Sequence, residues 1–274
     1  MDSPPQPVDT LQDVGHPAGY DYDAGSPHLA HPRLRTWVTD SLRALVHEQF
    51  ARRGRAHVLE VGAGHGAFTD HLLAAGASVT LTEMSPSSFE LLTERYRDNP
   101  AARVIFDETG QAAAELNDSF DLVVCVSVLH HIPDYLSAIR MWASVTVEGG
   151  AFASFQDPLW YPARSRLNLA ADRGAYFVWR ARRGNVLAGL KTRMRRMRGT
   201  YDESNWRDMV EYHVVRQGCD ERAICAQLEQ LYGSVELTRY WSTQSRSLQN
   251  VGDRVGLKST FAVVARGREG HPQP

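Results

Sequence analysis

Residues 58–68 read "VLEVGAGHGAF", an apolar run interrupted only by Glu60 and followed at once by glycines at positions 62, 64 and 66. Glycines at alternate positions behind a strand-like run mark a tight strand-to-helix turn whose backbone needs conformations, or close approaches, that a side chain would block. Gly62-x-Gly64-x-x-Ala67 also fits the spacing of a dinucleotide-binding turn, and Glu83 lies 21 positions after Gly62, where a ribose-binding acid belongs. Glu60 argues against a dinucleotide. An acid two residues before the first glycine points toward the crevice at the end of the strand, where an ionised carboxylate would repel a pyrophosphate and favour a cationic or amine-bearing ligand.

Outward from this turn, strand and helix patterns alternate. Strands are predicted at 57–61, 78–83, 103–106, 120–126 and 151–156, with helices near 66–75, 86–97, 110–116 and 134–146 between them. Such alternation implies βαβ units, hence a doubly wound, seven-stranded, mostly parallel α/β sheet once the strands at 234–241 and 259–265 are added as an antiparallel C-terminal hairpin. The spacing of Leu34, Trp37, Val38, Leu42, Leu45 and Val46 predicts a helix leading into the first strand, and another is expected from Asp220 to Leu231. Residues 1–32, with six prolines, read as a flexible arm. Residues 33–156 and 220–266 read as the core, 157–219 as a helical insertion capping the substrate and 267–274 as a disordered tail.

At 274 residues with a net charge of -2, the chain offers no global attraction to nucleic acid or anionic membrane. Three cysteines, Cys125, Cys219 and Cys225, do not make a disulfide framework or a zinc site. The polar, proline-bearing start "MDSPPQPVDT" does not resemble a leader, and no apolar run approaches membrane length, so a soluble cytoplasmic protein is expected.

The motifs "VLEVGAGHGAFTDHLLAAGASVTLTEMS" and "FDLVVCVSVLHHIPD", with the closing strand pair, resemble the class I S-adenosylmethionine-dependent methyltransferases, in a small-molecule subgroup similar to quinone-biosynthesis and natural-product enzymes. The resemblance covers about residues 56–156 and 220–266. It implies a Rossmann-like methyltransferase fold, S-adenosyl-L-methionine as cofactor, S-adenosyl-L-homocysteine as product, and methylation of a small molecule at O, N or C. It further implies that Gly62, Gly64 and Gly66 let the methionine part and ribose lie against the loop, and that Glu60 polarises the groups binding the ammonium. Glu83 would accept from both ribose hydroxyls, Met84 would pack on the adenine, Asp107 would take the adenine amino group with Glu108 or Thr109 as alternates, and Ser127 would flank the methionine part.

For the acceptor, His131, with His130 beside it, is the expected base, although shaping the site is the other role open to the pair. His130, His131 and Asp134 lack a convincing further ligand, and no metal is expected. Tyr22 and Tyr20 resemble the N-terminal aromatics that close over cofactor and substrate in several small-molecule members of that family, the other reading being incidental tyrosines in a disordered tail. Trp160, Tyr161, Tyr176, Phe177 and Trp179 form an aromatic-rich approach for a planar or hydrophobic acceptor, or else a small core of the insertion itself, and Tyr212 and His213 either line the pocket from above or lie on a surface helix. The eight basic residues between Arg180 and Arg198 could hold an anionic acceptor or carrier, or RNA, or be a solvated face. The arm could join subunits in a homo-oligomer. A nucleic-acid methyltransferase is disfavoured because "SVLHHIPD" stands where an Asn/Asp-Pro-Pro-aromatic motif is usual. A non-methylating cofactor-binding protein of the same fold stays open.

Overall fold

In the computed structural model, residues 26–116, 118–182 and 217–270 are described. The sheet has the seven strands that the sequence reading expects, and they run in the order β3-β2-β1-β4-β5-β7-β6. Its strands are β1 (His57–Val61), β2 (Ser78–Glu83), β3 (Ala102–Phe106), β4 (Phe120–Val126), β5 (Thr146–Pro158), β6 (Tyr232–Tyr240) and β7 (Thr260–Arg268). The pairs β1–β2, β2–β3, β1–β4 and β4–β5 are parallel, whereas β5–β7 and β6–β7 are antiparallel.

The helices are α1 (Pro27–Ala30), α2 (Pro32–Arg53), α3 (Thr69–Ala74), α4 (Pro86–Tyr96), α5 (Ala112–Glu115), α6 (Tyr135–Ser144), α7 (Arg166–Arg182), α8 (Glu221–Glu229) and α9 (Arg246–Arg254). Their ends follow local chemistry. Ser85 caps α4 by accepting from the Ser88 N–H, with Pro86 already holding a helical φ. Asp220 accepts from the N–H groups of Arg222 and Ala223 at the start of α8. Gly54 ends α2 in the left-handed region at φ 69°.

Side chains alternate between two cores, one on each face of the sheet. Val58, Val79, Leu81, Leu122, Val124, Ala153 and Phe155 pack with α2, α3 and α4 on one face. Leu59, Val61, Val123, Cys125, Phe152, Phe261 and Val263 pack with α6 and α8 on the other. On α2 the buried stripe Leu34, Val38, Leu42, Leu45 and Val46 matches the predicted helical face; burying five such side chains contributes on the order of 10 kcal/mol before entropy is counted.

Several boundaries differ from the sequence reading, among them both ends of β5, which starts at Thr146 rather than 151 and runs to Pro158 rather than 156. Residues 26–32, assigned there to the arm, are packed: Leu29 joins the first core, and His31 Nε2 lies 2.6 Å from the Thr243 carbonyl. Pairing with β5 and β6 carries β7 on to Arg268, into the stretch read as tail. The link between β6 and β7 holds α9 rather than a plain loop. Among the described residues, no helix is long and apolar enough to cross a membrane.

Candidate functional site at the C-terminal edge of the sheet

The strand order reverses at β1, whose neighbours are β2 on one side and β4 on the other. Open α/β sheets bind ligands in the crevice that such a reversal leaves at the strands' C-terminal ends. Along that edge three acids are buried at the ends of neighbouring strands: Glu60, Glu83 and Asp107 are 4%, 8% and 6% exposed.

Glu60 lies on the β1 face that carries Val58, toward α3, and its Oε2 accepts a 2.6 Å hydrogen bond from Thr69 Oγ1. Burial lifts its pKa to about 7 despite that bond, with the nearby Asp70 and Glu83 charges pushing the same way. The sequence alone suggests an ionised carboxylate; within the fold the group stands near its midpoint at neutral pH. A cation arriving beside it would complete its ionisation.

The glycine turn after β1 has positive φ at Gly62 (64°), Gly64 (59°) and Gly66 (78°), which explains the glycines conformationally. Packing adds a reason at two of them. A Cβ at Gly62 would stand 2.9 Å from Val128 Cγ2, and one at Gly66 would stand 2.7 Å from the Tyr96 hydroxyl. The protein's own side chains therefore already claim these two openings.

Glu83 pins the turn to β2. Its Oε2 accepts from the Gly64 N–H at 2.8 Å, and its Oε1 accepts from the N–H groups of Met84 (3.0 Å) and Ser85 (2.9 Å). A carboxylate has about four acceptor positions, so one, on Oε2, remains. Burial raises the Glu83 pKa, and the three backbone donors work against that rise. Asp107 follows β3 and accepts from the Ala112 N–H at 3.1 Å, which starts α5; burial raises its pKa too. Met84 is half-buried beside Glu83, whereas Glu108 and Thr109 are exposed.

The ends of β4 and β5 form the other side. Ser127 adopts φ 64° and donates its N–H to the Phe155 carbonyl at 2.7 Å, turning the chain into a 3₁₀ turn over Leu129–His131. In that turn His130 is 6% exposed and His131 half-buried, their rings 4.0 Å apart. Asp157 is fully buried, with Oδ1 2.8 Å from His130 Nδ1 and accepting the His130 N–H at 3.2 Å, and Oδ2 accepting from Ser154 Oγ at 2.7 Å. A bulge makes this possible. The β5–β7 register shifts between Phe155 and Asp157, and Gln156 has φ 70°. In a regular strand Asp157 would share the face of Phe155; the extra residue turns it to the face of Ser154 and Cys125. The sequence pattern puts His131 first and does not single out Asp157, whose only signal is an acid at the end of a buried strand.

Asp134 is engaged as the N-cap of α6, accepting from the Ser137 N–H and hydroxyl, and those bonds lower its pKa. Among the described residues no group of three or more His, Cys, Asp or Glu side chains is arranged to hold a metal. Trp160 and Tyr161 follow the end of β5; Trp160 is 36% exposed, and the Arg164 guanidinium lies 5.4 Å from the centre of the Tyr161 ring. Tyr176 and Trp179 stack on one another along α7 at 5.8 Å. Tyr20, Tyr22, Tyr212 and His213 lie outside the described residues, as does 183–198, most of the arginine-rich stretch.

Residues 59–152 match the family model described as a methyltransferase domain. The ubiquinone biosynthesis O-methyltransferase of Xanthomonas campestris pv. campestris is 36% identical over 99 residues, 35% of this chain and 40% of that protein. The Vibrio cholerae protein of the same description is 32% identical over 124 residues, 45% of this chain and 47% of that one. The chain thus spans less than half the length of these curated relatives. Among solved structures, the N-methyltransferase NodS from Bradyrhizobium japonicum WM9, in complex with S-adenosyl-L-homocysteine, superposes with a TM-score of 0.52 at 16% identity, covering 96% of this chain and 100% of that one. An O-methyltransferase family protein from Burkholderia thailandensis gives 0.53 at 12% identity, covering 87% and 57%. Residues 59–152 are therefore similar to a methyltransferase domain, and the chain has the Rossmann-like methyltransferase fold that its motifs imply.

Proposed function

We propose that this protein transfers a methyl group from S-adenosyl-L-methionine to O, N or C of a small-molecule acceptor, leaving S-adenosyl-L-homocysteine. The observation that carries the reading is the row of three buried acids at the ends of β1, β2 and β3 around a positive-φ glycine turn. Phosphates would meet three carboxylates there. A ligand with an ammonium, a vicinal diol and an aromatic amine, and no phosphate, would meet a partner at each.

In this reading Glu60, backed by Thr69, attracts the ammonium, Glu83 Oε2 takes a ribose hydroxyl in its remaining acceptor position, and Asp107 faces the adenine amino group beside Met84. Ser127 and the 3₁₀ turn border the methionine end. When bound, the cofactor supplies a sulfonium-activated methyl carbon, so the protein's share of catalysis is mainly alignment. For an acceptor that must lose a proton, Asp157 holds His130 with Nδ1 toward the carboxylate, which leaves Nε2 to accept. His131, against that ring, shapes the same corner. Trp160 and Tyr161 border the acceptor side, and a cytoplasmic biosynthetic setting, in secondary metabolism or cofactor synthesis, fits the quinone-related matches.

Calorimetric titration of S-adenosylmethionine into wild type and Glu83→Ala tests the reading. Wild type should bind, and the variant should bind about 1–3 kcal/mol more weakly, since a charged hydrogen-bonding group and the pin on Gly64 are both lost. No wild-type binding, with NAD binding in the same experiment, would return the site to a dinucleotide.

A further inference from the structure

His28 sits in the four-residue α1, within the stretch whose composition reads as an arm, yet it is only 6% exposed. Its ring stacks on Phe68, centroids 5.9 Å apart and planes 22° from parallel. Phe68 is the residue that leads the glycine turn into α3. This contact places His28 beside the glycine turn that follows β1, the strand at which the strand order reverses.

Its Nδ1 is buried and has no hydrogen-bond partner among the described residues. Buried polar atoms are nearly always paired, and an orphan is costly. A position needed only for packing on Phe68 would be better filled by an aromatic ring without nitrogens. Burial, reinforced by His130, lowers the His28 pKa to about 3, so the ring is neutral at physiological pH and can stand beside a sulfonium without repulsion.

We propose that His28 Nδ1 donates a hydrogen bond to the carboxylate at the amino-acid end of S-adenosylmethionine. The proposal rests on the cofactor reading and extends it. With adenine at the end of β3 and ribose at the end of β2, the amino-acid end runs over the glycine turn after β1, beside which His28 stacks on Phe68. Glu60 suits the ammonium there but repels the carboxylate, which needs an N–H donor. A neutral imidazole protonated at Nδ1 supplies one and ties α1 to the bound ligand.

The test compares S-adenosylmethionine with 5′-methylthioadenosine, which keeps the adenosine and the S-methyl group but has a neutral thioether in place of the sulfonium and lacks the amino-acid end. Each is titrated into wild type, His28→Phe and His28→Gln, and the three proteins are unfolded thermally without either compound. Phe keeps a ring on Phe68 and removes the orphan nitrogen, so His28→Phe should unfold at the wild-type temperature or above it. Its Kd for S-adenosylmethionine should rise about tenfold or more, while that for methylthioadenosine stays within about twofold. His28→Gln, which retains an N–H donor, should fall between the two proteins for S-adenosylmethionine. Unchanged binding, equal loss for both compounds, or a Gln variant no better than Phe would overturn the proposal, with equal loss meaning that His28 only props the glycine turn. Wild type that bound neither compound would overturn the cofactor reading as well.

Discussion

The ends of β1, β2 and β3 and the ends of β4 and β5 share one edge of the sheet but are built differently. On the first side backbone does most of the positioning: three N–H groups hold Glu83, and the Ala112 N–H holds Asp107. On the second side the holding is between side chains, with Asp157 gripping His130 and Ser154, and Gln156 bonded to the hydroxyls of Tyr240 and Ser242. A backbone-built half keeps its shape under most substitutions other than those of glycine. A half built from side chains can be retuned by single substitutions, which suits the part of the molecule that must differ between acceptors.

The largest expected effect tests the backbone half at a glycine. In Gly66→Ala, the new Cβ meets the Tyr96 hydroxyl at 2.7 Å with the backbone at φ 78°. Left-handed strain and overpacking together should cost about 2–4 kcal/mol. Urea unfolding would show it as a lower midpoint with an unchanged slope, and S-adenosylmethionine affinity should fall with it. A variant as stable as wild type would mean that the turn yields, and that its positioning depends on side chains after all.

Glu60 is the exception in the backbone half, since its partner is the Thr69 hydroxyl. Its folded pKa, about 7, lies above the ordinary glutamate value of 4.5. Folding therefore favours the protonated acid: the stability is fully present below about pH 4.5 and is lost as pH rises through 7, by about 3 kcal/mol in all. Glu60→Gln has no such titration, so the stability difference between variant and wild type should shift in the variant's favour by about that amount from pH 4.5 to 8. Ligand binding should show the opposite preference, because a cationic ligand lowers the Glu60 pKa. Wild-type affinity for S-adenosylmethionine should rise up to about pH 7 and then level, and the variant should lack that rise. Parallel pH curves for the two proteins would remove Glu60 from the site.

The same division explains how much could be read from the sequence. Glu60, Gly62, Gly64, Gly66, Glu83 and Asp107 each sit within a few residues of a strand end, so finding the strands found the groups. Strand limits were legible because apolar runs end at glycines and acids; β1, β2 and β4 fall where the pattern puts them. On the other half, the pairing of His130 with Asp157 spans 27 residues and depends on a bulge at Gln156 that no local pattern announces. The docking of His31 on Thr243 spans 212 residues. His28 carried no signal beyond its proline-rich surroundings, which pointed the wrong way. Its ring is covered by the distant Phe68, which the propensities of its neighbours do not announce.

The smallest expected effect probes the side-chain half. In Asp157→Asn, the amide oxygen can still accept from His130 Nδ1, and the amide N–H can turn to Ser154 Oγ, whose hydroxyl can accept instead of donate. Both contacts survive without their charge. Removing a buried charge also relieves desolvation, which offsets part of the loss. The net cost should be about 1 kcal/mol, read by thermal or urea unfolding, with S-adenosylmethionine affinity within about twofold of wild type. A much larger loss of affinity would show that the end of β5 supports the cofactor, and the two halves would then be one site. If affinity holds while methylation of a proton-losing acceptor falls by about 10²-fold or more, His130 needs the carboxylate for its chemistry and not only for its place.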